Sequence, residues 1–284
     1  MRFALKGVLA FVVFSAVLVA SCSGLSPNIR NGRTELLKAV GREGDIVAYL
    51  NVDRSKGLID EISGGSRDEL SKYVYDVIVV GSDDCEYGAI EGDIPIIGRS
   101  IVASKLNGKP TKVGDVECFV AKLGEMDLYF DLVNSGVMLF STSGEGFRKA
   151  VDIFIKKREN IMPESVSLLL QSGCMGVYGI SPRAKISEVL KDGNVETVML
   201  LLDRSENESE YLLSGIMEMK DENVFRATNV LLSDAYIRDS KDNGRKIDMK
   251  RMLSTYRPSS VDKFVGYYDF RVPVSLILRM LGKQ

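Results

Sequence analysis

Three β-rich runs decide the fold predicted for this chain: VAYLNV at residues 47–52, GVYGI at 176–180 and VGYYDF at 265–270. Each run has a tyrosine in third place, namely Tyr49, Tyr178 and Tyr267. Each is followed, eight or nine positions after its tyrosine, by an aliphatic residue in a stretch with helical spacing. Valine, isoleucine and aromatic residues favour strands, so each run predicts a strand, a tight turn and a helix.

A second pair of segments strengthens the repeat. DVIVV at 76–80 leads through a polar turn to EYGAI at 86–90, and TVMLLL at 197–202 leads to EYLL at 210–213. Both pairs predict β-hairpins. Because the matching units lie about 125 residues apart, we predict an α+β fold of two pseudo-repeated halves, residues 34–160 and 161–284. In each half, antiparallel hairpins would carry helices packed on one face of their sheet.

The first half contains further predicted elements. Segments 117–123, 127–132 and 137–142 have strand character. Residues 144–158 form an amphipathic pattern, with an apolar stripe from Phe147 to Ile155. Ser143 precedes this helix in the position of an N-cap, which we favour over an anion site at the same turn.

The N-terminus has the layout of a secretory signal. Arg2 and Lys6 are followed by an uncharged apolar stretch over residues 7–19 and by small residues before Cys22. The uncharged run is shorter than the roughly 20 apolar residues of a transmembrane helix. We therefore predict a cleaved signal peptide at residues 1–21.

The segment LVASC at residues 18–22 resembles the lipobox of bacterial lipoproteins, and the general look of the sequence suggests a spirochaete. The resemblance covers only this N-terminal segment, and the mature domain resembles no characterised family closely. The resemblance implies that Cys22 becomes the N-terminus and carries a diacylglyceryl group and acyl chains such as palmitate. It also implies a location in the cell envelope, at the outer membrane or the periplasmic face. Residues 22–33 would form a lipidated tether rich in turn-forming residues.

Composition excludes several classes of function. The chain has no histidine and no tryptophan, which excludes histidine-based nucleophile pairs and histidine-ligated metal sites. Without residues 1–21 it has 35 basic and 39 acidic residues, a net charge of −4. This balance argues against nucleic-acid binding. No cofactor motif is present.

Three cysteines remain after Cys22, and an odd number permits at most one internal bridge. Cys85 and Cys118 lie on predicted strands of one half and are the expected pair for a disulfide, with buried free thiols as the alternative. The spacing of the cysteines does not fit a metal site made of cysteines alone.

The densest acidic cluster includes Asp83, Asp84 and Glu86. Carboxylates could bind Ca²⁺, but the order does not fit a calcium loop, and we favour a solvated turn. Tyr49, Tyr178 and Tyr267 could line a pocket, although aromatic residues on repeated strands more often belong to a core. We therefore predict no metal and no cofactor.

These observations favour a lipid-anchored envelope lipoprotein with a non-catalytic binding or scaffold role. Its partners would be the membrane, through the lipid, and an envelope protein or a small molecule. One alternative is a carboxylate-based hydrolase, which needs two acids in one cleft. The other is a small-ligand carrier with a pocket between the two halves.

Overall fold

A computed structural model provides the fold of the chain. It describes residues 36–63, 74–82, 85–93, 98–124, 126–134, 136–156, 162–181, 195–206, 210–220, 259–261 and 264–274, with isolated positions between 237 and 247. Cys22, the signal segment and the tether lie outside these residues, as do Asp83 and Asp84 and the helices predicted after Tyr178 and Tyr267.

In the described part of the chain, twelve strands form one antiparallel sheet, in the order β11-β12-β10-β9-β8-β1-β2-β3-β7-β6-β5-β4. The strands are β1 (Ile46–Asn51), β2 (Val74–Gly81), β3 (Glu86–Gly92), β4 (Lys109–Val113), β5 (Val116–Leu123), β6 (Met126–Asn134), β7 (Val137–Ser141), β8 (Met175–Ile180), β9 (Val195–Arg204), β10 (Glu210–Met219), β11 (Ser259–Val261) and β12 (Phe264–Pro273). The hairpins expected at β2–β3 and β9–β10 are confirmed.

The predicted fold class is wrong, because the described strands form one large antiparallel sheet and not a separate sheet for each half. β1 pairs with β2 on one side and with β8 on the other, with Val47 opposite Tyr178 and Tyr49 opposite Gly176. If the first half folded as a separate sheet, β1 would be its edge strand and would expose unpaired backbone N–H and C=O groups on an apolar strand. Pairing with β8 gives these groups hydrogen-bond partners. The local repeat pattern predicted the strands, but it did not predict that β1 of the first half would pair with β8 of the second.

The helices that the structure describes are short, and each packs on part of the sheet. They are α1 (Lys56–Ser63), α2 (Gly98–Lys105), α3 (Gly144–Ala150) and α4 (Glu164–Ser172), with a 3-10 turn at Leu37–Ala39 and a π-helical turn at Val151–Ile155 that continues α3. Ser143 caps α3 as predicted, because its side chain accepts a hydrogen bond from the N–H of Gly146. In the described part of the chain, no helix is long and apolar enough to cross a membrane.

Alternation along the strands places apolar clusters on both faces of the sheet. Face one carries Leu50, Val77 and Ile90 and is covered by α1 and α2. Face two carries Tyr49 and Val80 and is covered by the 3-10 turn, α3 and α4. Around strands β1 to β7, the sheet is therefore a middle layer with an apolar core on each face.

Candidate functional site

The tyrosines expected to line a pocket are core residues where the structure describes them. Tyr49 is 1% exposed and Tyr178 is 6% exposed, and both belong to the cluster on face two. Burial raises the pKa of Tyr178 above its ordinary range. Tyr267 lies on β12, and its side chain is outside the described part of the chain. β1 and β8 are hydrogen-bonded neighbours, so the line between the two predicted halves is a continuous pairing and not a cleft.

Two buried acids that sequence analysis missed serve the packing of the sheet. The Tyr49 hydroxyl donates to Asp76 Oδ1 at 2.6 Å, and the Asp76 side chain is fully buried in β2. Arg99 of α2 holds Asp131 of β6 in a two-point contact, with Nε–Oδ1 at 2.7 Å and Nη2–Oδ2 at 2.9 Å. This hydrogen bonding keeps the pKa of Arg99 above its ordinary value. An acid inside an apolar strand was the only sequence signal for Asp76.

Of the acidic cluster proposed for metal or catalysis, only Glu86 is described. It begins β3, and burial raises the pKa of its carboxyl to about 7. Its backbone carbonyl accepts from the Ser141 hydroxyl at 2.7 Å, which ties the start of β3 to the end of β7. Within the described residues, no group of three or more acids or cysteines is placed to hold a metal ion.

The three internal cysteines are buried free thiols. Cys118 lies on β5, whereas Cys85 directly precedes β3, and strands β6 and β7 lie between β5 and β3. Three strand spacings amount to about 14 Å, whereas a disulfide needs Cα atoms within roughly 7 Å. The structure therefore holds no bridge between Cys85 and Cys118. Burial raises the pKa of Cys118 and of Cys174 to about 11, which disfavours thiolate chemistry.

A polar cluster around Cys174 joins the segments where β1, β8 and β9 meet. The Cys174 carbonyl accepts from the Ser55 hydroxyl at 2.7 Å, and the Cys174 thiol contacts the Arg54 carbonyl at 3.1 Å and Asp203 Oδ1 at 3.6 Å. Arg204 Nε also donates to the Arg54 carbonyl, at 2.7 Å. These bonds are internal to the chain, so the cluster fastens one end of the β1–β8 pairing, where Leu50 lies opposite Met175.

The candidate for a functional surface is the outer part of face two, on strands β8 to β12. Ile180 of β8, Ile216 of β10 and Phe264 of β12 are exposed by 38%, 45% and 40%. In one cross-strand row, Ile216 is opposite Met199. Ile180 and Phe264 lie at the two ends of the next row, with the polar residues Thr197 and Glu218 between them. We call these three residues the outer apolar surface.

The opposite face of the same strands is covered. Val198, Met217 and Met219 are at most 3% exposed on face one. On face two the nearest described helix is α4, which packs on β8 and β1 and itself exposes Leu168 and Leu169. Exposed apolar side chains grouped on one side of a protein mark sites of interaction more often than scattered ones do. This arrangement can bind an apolar partner surface but supplies no catalytic group.

The comparisons with known proteins are limited to the fold. No protein-family model matches the chain, and no curated protein does. The chain is similar in structure to TP0453, a protein of Treponema pallidum, in three crystal forms. The chain has the fold of TP0453.

The likeness extends over nearly all of both proteins. Crystal form III matches with a TM-score of 0.58 at 12% identity, covering 91% of this chain and 98% of TP0453. Crystal form I gives 0.59 at 12% identity with 89% and 98% covered, and crystal form IV gives 0.57 at 10% identity with 87% and 96% covered. At this identity the match carries the arrangement of the sheet and no residue-level role.

Proposed function

We propose that the chain is a lipid-anchored protein of the bacterial cell envelope that acts by non-catalytic binding or as a scaffold. The anchor would be the acylated Cys22, which closes the signal-like N-terminus. Two or three acyl chains contribute about 0.8 kcal/mol for each buried CH₂, which is enough for durable attachment. The tether of residues 22–33 spans only about 20 Å as a flexible coil, so the folded domain would work close to its membrane.

The observation that carries the binding role is the outer apolar surface. Ile180, Ile216 and Phe264 stay exposed although the other face of the same strands is closed. Asp76 and Asp131 are engaged in internal bonds and the internal thiols are buried, so none of these groups is offered to a substrate as a hydrolase would require. A protein of the envelope with this surface would act by holding a partner.

The anchoring part is tested with the full chain and a Cys22→Ser variant expressed in a bacterium that lipidates exported proteins. The unaltered chain should enter the detergent phase in phase partitioning and take up labelled fatty acid. The variant should do neither, while a Cys85→Ser variant should behave like the unaltered chain. Equal partitioning of the Cys22→Ser variant would refute lipid anchoring at this residue.

The binding part is tested by placing a photo-crosslinking amino acid at Ile216 in cells. Position 112 on the distant strand β4 is the matched control, because Lys112 is also exposed. A discrete adduct is expected from position 216 and not from position 112. Equal labelling from both positions would show that the outer apolar surface is not a specific binding site. Substrate turnover by the purified chain would overturn the non-catalytic role.

A further inference from the structure

The chain enters the folded domain through a segment that is packed on face two. This segment, residues 36–45, joins the proposed tether to β1, and we call it the strap. Leu37 and Val40 are 0% and 2% exposed and belong to the apolar cluster of face two. A Cβ added at Gly41 would lie 3.4 Å from the ring of Tyr178, so the strap lies directly against β8. The strap is therefore part of the core and not a free extension of the tether.

Polar contacts fix the strap near its start and near its end. Lys38 Nζ lies 3.6 Å from Glu164 Oε1 at the start of α4. The Gly44 N–H donates to the carbonyl of Ile180 at 2.9 Å, at the end of β8. α4 packs on β8 and on the strap. The tether therefore joins the domain on the side of face two, beside α4.

The length of the proposed tether limits how the domain can turn. A flexible coil as long as residues 22–35 spans about 20 Å, whereas a globular chain of about 250 residues is roughly 45 Å across. The free end of such a coil stays on the side of the domain from which the coil leaves. To bring face one to the membrane, the tether would have to pass around the sheet. An anchor at Cys22 would therefore lie on the side of face two.

Exposed apolar side chains are concentrated on this same side. In the described part of the chain, the large apolar side chains that are exposed all lie on face two or on the elements that cover it, namely Ile155, Leu168, Leu169, Ile180, Ile216 and Phe264. Leu168 and Leu169 project from the outer side of α4, in which Glu164 is the only charged residue. Such a surface suits the headgroup region of a bilayer, which accepts apolar side chains without a shaped pocket.

We propose that the strap holds the domain with face two towards the membrane, so that the outer side of α4 rests on the bilayer surface. This orientation rests on the proposed anchor at Cys22 and adds the surface through which the domain meets the lipid. The bilayer is the occupant because the tether that starts beside α4 ends in the membrane. A partner bound at the outer apolar surface would then lie at the membrane surface.

Single tryptophan probes test the orientation, because the chain has no tryptophan of its own. The lipidated full chain is reconstituted into phosphatidylcholine vesicles that contain a lipid with a nitroxide on its headgroup, which quenches tryptophan at short range. Leu168→Trp places the probe on the outer side of α4. Ser104→Trp is the matched control, because Ser104 is exposed on α2, the helix that covers part of face one.

The two probes should report different distances from the lipid. The Leu168→Trp variant should be quenched about twofold or more strongly than the Ser104→Trp variant, since apolar side chains of interfacial segments reach about 5–10 Å into the headgroup region. Equal quenching, or stronger quenching at position 104, would overturn the orientation and leave the anchor in place. Mass spectrometry of the N-terminal peptide tests the anchor separately, and a chain without acyl groups would overturn both proposals.

A longer tether tests the role of the strap without altering the folded domain. Inserting about 30 glycine and serine residues after Arg33 raises the span of the coil to about 35 Å, so that an anchor could reach other sides of the domain. Quenching of the Leu168→Trp variant should then fall towards that of the Ser104→Trp variant. Circular dichroism establishes that each variant folds. A preference for position 168 that the longer tether leaves unchanged would show that the strap does not set the orientation.

Discussion

Replacing Glu86 with glutamine should remove a pH-dependent loss of stability. In the folded chain the pKa of this carboxyl is about 7 because of burial, whereas its ordinary value is 4.5. Below pH 4.5 the group is protonated in both states and burial of its charge costs nothing. Between pH 4.5 and 7 only the unfolded chain releases the proton freely, so rising pH favours unfolding. Above pH 7 the loss is complete.

The size of the effect follows from the shift. At 1.36 kcal/mol for each unit, a displacement of this size corresponds to at most about 3 kcal/mol of unfolding free energy, and partial contact with water reduces it. The Glu86→Gln variant should match the unaltered chain near pH 4.5 and exceed its stability by about 1 to 3 kcal/mol at pH 8.

Urea unfolding of both chains at intervals from pH 4.5 to 8, followed by circular dichroism, measures this difference. Glu43→Gln is the matched control, because Glu43 is exposed in the loop before β1. The control should run parallel to the unaltered chain. Parallel curves for Glu86→Gln as well would show that burial of this carboxyl does not govern its titration.

Three further predictions concern the packing of the sheet. Gly88→Ala should destabilise the fold by about 1 to 3 kcal/mol in urea unfolding, because the new Cβ would clash with the Ile78 carbonyl oxygen and lie 2.5 Å from the Phe140 ring. Unchanged stability would refute this close packing of β3 between β2 and the Phe140 side chain. Tyr49→Phe should cost about 1 to 3 kcal/mol, since it removes the hydroxyl that donates to the buried Asp76, and a smaller loss in the same assay would count against that contact. The three buried internal thiols should react with a thiol reagent only after denaturation, and rapid labelling of the native chain would contradict their burial.

The parts of the fold that sequence analysis predicted are those that depend on neighbours in the chain. Strands β5, β6 and β7 and the Ser143 cap are confirmed, because alternation and capping act over a few residues. The pairing of β1 with β8 joins residues about 130 positions apart, and no local pattern states which sheet edges will meet. The α+β prediction failed at this step.

For the candidate site too, sequence analysis found the local patterns and missed the contacts between distant residues. The tyrosine motif was found as a repeat, but its partner Asp76 lies 27 residues from Tyr49, and the thiol of Cys174 meets a carbonyl 120 residues away. Such contacts depend on the completed sheet. The outer apolar surface was missed because Ile180, Ile216 and Phe264 resemble buried strand residues in sequence, although they are exposed in the structure.

Mass spectrometry of the mature N-terminus tests the central proposal most directly. The full chain is expressed in a lipidating bacterium, extracted from membranes and digested, and the N-terminal peptide is isolated. We predict a peptide that begins at Cys22 and carries the mass of a diacylglyceryl group with acyl chains, with residues 1–21 absent. An unmodified Cys22, or a mature chain that still contains residues 1–21, would contradict the lipid-anchored account.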